Sequence, residues 1–219
     1  MSDSKPWNLE ILSVGPLQMN SVLLTAQGPN GGEAILFDPG EEAPRLLARI
    51  EASGCQLTHL LATHCHFDHI GAGAAIQAVH DLPLICHSGA VPIIEHLQSS
   101  QTMWGFLATE TPRYQADLAD GDTIAFAGQE ITVRYVPGHS PGQVMYVLPG
   151  ISPVHALVGD CIFHNGVGRT DLPGGDFPTL EKSIRECIYT LPDETVIVPG
   201  HGPDTTVGHE KATNPFVRP

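Results

Sequence analysis

The sequence predicts an α/β domain in which two β-sheets carry helices on their outer faces. Three observations support that expectation. Short apolar runs of strand length are interspersed with helical patterns along the 219-residue chain. Each half opens with several strands and closes with helices and further strands, which suggests two sheets with helices outside. The 23 Gly and 19 Pro are spread rather than clustered, and 42% hydrophobic against 16% charged residues is enough for a sizeable core.

Taken in order, Leu9–Val14, Ser21–Ala26 and Glu33–Phe37 read as strands, the last running into the turn Asp38-Pro39-Gly40. Glu42–Ser53 reads as a helix: Pro44 suits its first turn, Leu46, Leu47 and Ile50 make an apolar face, and Gly54 ends it. Leu57–Ala62 is expected as a buried strand, Ala72–His80 as a small-residue helix and Leu84–Cys86 as another strand. Val91–Tyr114 begins helical and becomes irregular, and its Met103-Trp104-Gly105-Phe106 reads either as lining a pocket or as filling the core, with core filling expected. Thr123–Phe126 and Glu130–Val136 alternate as a hairpin about Ala127-Gly128, followed by strands at Gln143–Leu148 and Val154–Val158. A helix over Thr179–Tyr189, a strand at Thr195–Val198 and a short tail complete the chain.

Composition excludes several classes. A formal charge of −14 leaves few cations to displace counterions from a phosphate backbone, so no nucleic-acid partner is expected. No apolar run reaches the length of roughly eighteen residues that a membrane span needs. Met1–Asn8 lacks the basic patch and apolar run of a secretory signal, so the expected location is the cytoplasm. The five Cys are odd in number and form no C-x-x-C pair, which fits a reducing compartment rather than a disulfide framework. Each reads as a small buried hydrophobe; Cys65 and Cys161 stand beside candidate ligands.

The apolar run Leu57–Ala62 leads into Thr63-His64-Cys65-His66-Phe67-Asp68-His69, four metal-ligand types within six residues. A strand end and a tight loop would throw His64 and His66 to one side and Asp68 and His69 to a neighbouring point. One segment could then give two ligands to each of two metals. Imidazoles with a carboxylate suit zinc, iron or manganese, and no Cys pattern points to a closed structural zinc site. Three later pieces repeat one arrangement, an apolar strand followed by small residues and a ligand: His139 in Pro137-Gly138-His139-Ser140-Pro141-Gly142, Asp160 after Val158-Gly159, and His201 in Pro199-Gly200-His201-Gly202.

T-H-x-H-x-D-H, G-H-S-P-G, G-D and P-G-H-G in that order resemble the metallo-β-lactamase superfamily, from about Leu9 to Phe216. The resemblance implies an αββα sandwich of two mixed sheets, with the site at one edge and a single domain over 1–219. It implies two divalent metal ions per chain, zinc first, with His64, His66 and His139 binding one, Asp68, His69 and His201 the other, and Asp160 bridging. Asp68 and Asp160 would also be the catalytic carboxylates. Asp38 and Thr63 match positions that support the ligands from behind, and Ser140 is either a similar support or a turn hydroxyl.

The segment Gly166-Val167-Gly168-Arg169-Thr170-Asp171-Leu172-Pro173-Gly174-Gly175-Asp176 resembles glyoxalase II-like hydrolases and their relatives the persulfide dioxygenases. The ending, with Asn214-Pro215-Phe216, is most similar to the compact glyoxalase II-like proteins of bacteria, without the C-terminal helical domain that binds glutathione in full-length glyoxalase II. The implied reaction is hydrolysis of a small-molecule thioester, such as S-lactoylglutathione, by a metal-bridging hydroxide. A thiolate whose parent pKa is about 8.5 leaves without a strong protein acid, whereas a β-lactam nitrogen would need one. The rival implication is a mononuclear iron persulfide dioxygenase using His64, His139 and Asp160. Arg169 reads either as a structural partner of Asp171 or Asp176 or as a residue shaping the pocket. His164 reads either as substrate-facing or as an ordinary loop residue; the other His outside the ligand set read as ordinary.

Overall fold

The computed structural model describes residues 7–28 and 31–219. Most of the segment Met1–Asn8, read above as no secretory signal, therefore lies outside the described residues. Two six-stranded mixed sheets divide the chain cleanly. The first holds β1 (Asn8–Val14), β2 (Met19–Gly28), β3 (Gly31–Phe37), β4 (Cys55–Leu61), β5 (Leu84–His87) and β6 (Tyr114–Leu118), in that spatial order. The second holds β7 (Thr123–Phe126), β8 (Gln129–Tyr135), β9 (Val144–Leu148), β10 (His155–Gly159), β13 (Val196–Pro199) and β14 (Thr205–Thr206), with β10 parallel to β13. A small hairpin of β11 (Ile162–Phe163) and β12 (Gly166–Val167) stands between them in sequence.

Alternation along the central strands builds three apolar layers. In β3, Ile35 and Phe37 face a core shared with Tyr146, Leu157 and Val198 of the other sheet, while Ala34 and Leu36 face outward to α1 (Ala43–Ser53). In β10, Leu157 faces the shared core and Ala156 and Val158 face the layer under α6 (Phe177–Ser183). Both faces of each sheet are thus covered, the condition under which parallel strands persist. Tyr146, fully buried in the shared core, donates its hydroxyl to the Ala62 carbonyl at 2.8 Å and so ties the sheets together beside the end of β4.

Local chemistry explains the helix ends. Pro44 lies in the first turn of α1, Leu46 and Ile50 are its buried face, and Gly54 closes it in the left-handed conformation, its N–H donating to Glu51 O. α6 starts two residues before the expected Thr179, because the Asp176 side chain accepts from Thr179 N at 2.9 Å and Pro178 suits the first turn. It continues as a wider π-type turn to Ile188.

Other boundaries differ from expectation. The helix over Ala72–His80 is shorter, α3 (Gly73–Gln77), and the ligand loop contains a single helical turn, α2 (Phe67–Ile70). Val91–Tyr114 resolves into α4 (Val91–Glu95) and α5 (Leu97–Met103) and leads into β6, a strand not anticipated. The tail carries α7 (Val207–Thr213), started by Thr206 accepting from His209 N. Cys65, Cys86 and Cys161 are fully buried, whereas Cys55 and Cys187 are half-buried; all are free thiols. Among the described residues no helix is long and apolar enough to cross a membrane.

Candidate metal centre

Every residue of the expected ligand set stands just beyond the C-terminal end of a strand. His64 and His66 follow β4, Asp68 and His69 ride on α2, His139 lies in the β8–β9 turn, and Asp160 and His201 follow β10 and β13. Backbone hydrogen bonds bring these ends together: Val144 N to Thr63 O at 2.8 Å, Gly200 N to Gly159 O at 2.9 Å, and Asn20 N to Gly200 O at 2.7 Å. Asn20, not singled out from sequence, also donates its amide to the carbonyls of Pro199 and Gly202. Glycine is required by close approach at position 200, where a Cβ would collide with Asp160 Oδ1 and His69 Cε1. At Gly159 the requirement is a φ of +52°, a conformation in which a Cβ would also press on the Thr63 hydroxyl.

The donor atoms fall into two sets with one carboxylate between them. His64, His66 and His139 converge, with His66 Nδ1 2.9 Å from His139 Nε2. Asp68, His69 and His201 converge beside them, with His201 Nε2 3.2 Å from Asp68 Oδ2. Asp160 reaches into both sets: Oδ1 is 3.3 Å from His69 Nε2, and Oδ2 is 3.6 Å from His139 Nε2 and 3.7 Å from His201 Nε2. A tetrahedral ion with ligands at about 2.0–2.1 Å would set its donors about 3.3 Å apart, which these separations match. His64 Nε2, His69 Nε2 and Asp160 Oδ1 are buried without a hydrogen-bond partner, a costly arrangement unless something binds them. The residues therefore fit bound divalent metal.

The ring nitrogens turned away from this focus are held by acceptors. His69 Nδ1 meets Asp38 Oδ2 at 3.0 Å, His139 Nδ1 the Arg169 carbonyl at 2.7 Å, and His201 Nδ1 the Leu17 carbonyl at 3.0 Å. Asp38 also accepts from Thr63 N at 2.6 Å and from Thr63 Oγ1 at 2.7 Å, and that hydroxyl in turn lies 3.1 Å from His64 Nδ1. Each Nδ1–H so placed leaves a lone pair on Nε2, the form a metal needs. Asp38 and Thr63 thus lie directly behind His69 and His64. The two backbone carbonyls carry no sequence signal.

Electrostatics divides the imidazoles. Burial holds His64 well below the ordinary histidine range, with the surrounding histidines adding to it; it also takes His66 down to about 4 and lowers His139. At His69 burial works the same way, but Asp160, Asp38 and Asp68 outweigh it and raise the ring well above its usual value. For Asp160 burial opposes ionisation, yet His69, His139 and His201 prevail and hold it well below the carboxylate range.

A cavity of about 1000 Å³ opens over these groups. Arg169 lines it, while its guanidinium makes two parallel hydrogen bonds to Asp171, Nε–Oδ1 at 2.7 Å and Nη2–Oδ2 at 2.8 Å. Asp176 instead caps α6. His164 is not among the lining residues; its ring stacks on His209 at 4.8 Å between centroids. The expectation that Met103 and Trp104 fill the core is corrected: they are 81% and 51% exposed and form part of the cavity wall. His96, read as ordinary, also lines the cavity. An apolar pair placed directly after the polar run Gln98–Thr102 was the signal available for this wall.

A family model described as the metallo-beta-lactamase superfamily matches residues 14–201. The probable metallo-hydrolase YqgX of Bacillus subtilis (strain 168) is 35% identical over 208 residues, covering 94% of this chain and 95% of that protein. The hydroxyacylglutathione hydrolase GloC of Haemophilus influenzae is 34% identical over 217 residues, covering 96% and 98%. The crystal structure of TTHA1623 in a di-iron-bound form superposes with a TM-score of 0.83 at 38% identity, covering 95% of this chain and 100% of that one. With the family match spanning most of the chain and the two sheets covered by helices as described, this protein belongs to the metallo-beta-lactamase superfamily.

Proposed function

We propose that the protein is a hydrolase that cleaves a small-molecule thioester at a paired-metal centre, with a glutathione thioester such as S-lactoylglutathione as the first substrate to test. The single observation that carries this reading is the placement of Asp160, one carboxylate that adjoins both sets of three donors, with Oδ1 beside His69 and Oδ2 beside His139 and His201. His64, His66 and His139 would hold one cation and Asp68, His69 and His201 the other, zinc first, with iron or manganese as alternatives. Such cations lower the pKa of water toward about 7 and polarise a carbonyl oxygen.

The chain's own residues perform the rest. Asp38, Thr63 and the carbonyls of Arg169 and Leu17 hold His64, His69, His139 and His201 in one tautomer and orientation, so little rearrangement accompanies turnover. Burial keeps His64, His66 and His139 neutral and therefore available as donors. Asp160 is held ionised chiefly by His69 beside it. The cavity walls admit a substrate carbonyl beside these groups, and a thiolate with a parent pKa of about 8.5 departs without a protein acid. Similarity to GloC supports the choice of thioester.

The test is metal content per chain on anaerobically purified protein, with thiol release from S-lactoylglutathione measured in the same sample. About two equivalents of metal with thiol release is the expected result. About one equivalent of iron, with oxygen uptake on a glutathione persulfide and no thiol release, would replace this reading with a mononuclear dioxygenase.

A further inference from the structure

The walls of the cavity and its floor differ in chemistry. The floor is the donor cluster. The walls are mainly apolar, with Ile93 from α4, Leu97 and Met103 from α5 and Trp104 just after it, joined by Phe163 and Leu172 from the segment after Asp160; His96, Ser99 and Ser100 are the neutral polar groups among them. Beyond Asp68 and Asp160, Arg169 is the only Asp, Glu, Lys or Arg among the described lining residues, and Asp171 already takes up its guanidinium in a bidentate pair. The Trp104 ring lies 5.6 Å from that guanidinium carbon, covering part of what remains. An anionic substituent entering this cavity would meet no unpaired lysine or arginine, and the chain as a whole carries a formal charge of −14.

Met103 and Trp104 stand substantially in solvent although both are large and apolar. They adjoin the donor cluster rather than lying on a remote surface, so the area they expose is available to a ligand held over that cluster. Soluble carrier thiols are polar and anionic. The part of a thioester able to match such a wall is therefore the acyl group, with the carrier directed toward solvent.

We propose that this wall selects an apolar acyl group, so that the preferred thioesters carry a hydrocarbon chain or an aryl ring rather than a short hydroxy acid, with Trp104 and Met103 as specificity-determining residues. The inference rests on the thioesterase reading above, and its test separates the two. Turnover is compared on zinc-loaded protein with acetyl, lactoyl, butyryl, hexanoyl and benzoyl groups on the same thiol, glutathione. Binding is measured separately by calorimetry with S-methylglutathione and S-hexylglutathione, which cannot be hydrolysed.

Burial of each methylene raises kcat/KM by about two- to fourfold, so hexanoyl exceeds acetyl by at least about tenfold, and S-hexylglutathione binds at least about tenfold tighter than the methyl analogue. In Trp104→Ala both ratios contract, and in Met103→Ser they contract less. Ratios within about twofold of unity, with thiol released from every member, overturn the apolar-wall inference and leave the hydrolase reading standing. Tighter binding of the hexyl analogue with no thiol released from any member supports the wall and overturns the thioesterase reading instead.

Discussion

Replacing Asp38 by Asn keeps the shape of the side chain and removes its charge, and the geometry around it leaves the amide no comfortable orientation. Asp38 accepts three hydrogen bonds, from Thr63 N at 2.6 Å, Thr63 Oγ1 at 2.7 Å and His69 Nδ1 at 3.0 Å. With the amide nitrogen at the Oδ2 position, His69 must accept at Nδ1 and move its proton to Nε2, the atom that faces Asp160 Oδ1 at 3.3 Å. With the amide reversed, its nitrogen faces the Thr63 N–H, donor against donor. The first orientation keeps its hydrogen bonds only by reversing their direction and spoiling the tautomer, and the second loses a buried hydrogen bond, which costs folding about 1–3 kcal/mol. That is affordable within a typical stability of about 5–15 kcal/mol. Asn also tolerates the positive φ of 49° at this position, so the backbone is not a second perturbation. Loss of an orienting partner weakens a metal ligand by roughly 10- to 100-fold, and the forced tautomer places the expected loss at the upper end. Zinc competition against a chromophoric chelator should show one of two equivalents weakened in Asp38→Asn. Chemical denaturation of the metal-free proteins should show the smaller stability loss. A folded variant that takes up both equivalents with unchanged affinity would refute the account of Asp38 as the group that sets the tautomer of His69.

Metal uptake should release protons, because the carboxylates raise His69 well above the usual histidine range and a ligating imidazole must be neutral. Affinity then rises with pH and falls as pH drops, by up to about tenfold per unit for each proton displaced; calorimetry at pH 7 in two buffers of different ionisation enthalpy should report about one proton released per chain, and none would contradict it. Gly200→Ala puts a methyl against Asp160 Oδ1 and His69 Cε1, so metal content should collapse while the fold loses about 1–3 kcal/mol; unchanged metal content by elemental analysis would be inconsistent with the close packing. Glu210, fully buried, accepts from Thr205 Oγ1 at 2.6 Å, Asn214 Nδ2 at 2.8 Å and Asn165 N at 3.1 Å. Glu210→Ala leaves those donors unpaired and should cost about 3–5 kcal/mol in a denaturant titration, and a loss below about 1 kcal/mol would show that they find other partners.

What could be read from sequence followed from how local the determinants were. The αββα layering was legible because strand-length runs and helix signals recur in both halves, and Pro44 and Gly54 set the bounds of α1 within the chain itself. The candidate ligand set could be drawn up because donors follow strand ends at short spacing, whereas Asp38 and Thr63 were named only through the family resemblance. β6 escaped notice because Tyr114–Leu118 has a mostly exposed pattern and is defined by pairing with β5 rather than by its own alternation. α7 is short and depends on the buried Glu210 for its attachment, a tertiary cause that no local pattern announces. The carbonyls of Leu17 and Arg169 could not be found from side-chain identity, since every residue carries one. Met103 and Trp104 were misplaced because apolar character alone does not distinguish a core from a cavity wall.

The clean division of the chain between its sheets has a consequence for reassembly from pieces. The exposed turn Ala119–Asp122 separates β6 from β7, and every strand of the first sheet precedes it while every strand of the second follows. A cut there would give one fragment carrying His64, His66, Asp68 and His69 and another carrying His139, Asp160 and His201. Neither fragment holds a complete donor set of the kind described, because His139 is needed beside His64 and His66, and His201 beside Asp68 and His69. Metal would then act as glue between the two polypeptides, and their association would strengthen with metal concentration by mass action.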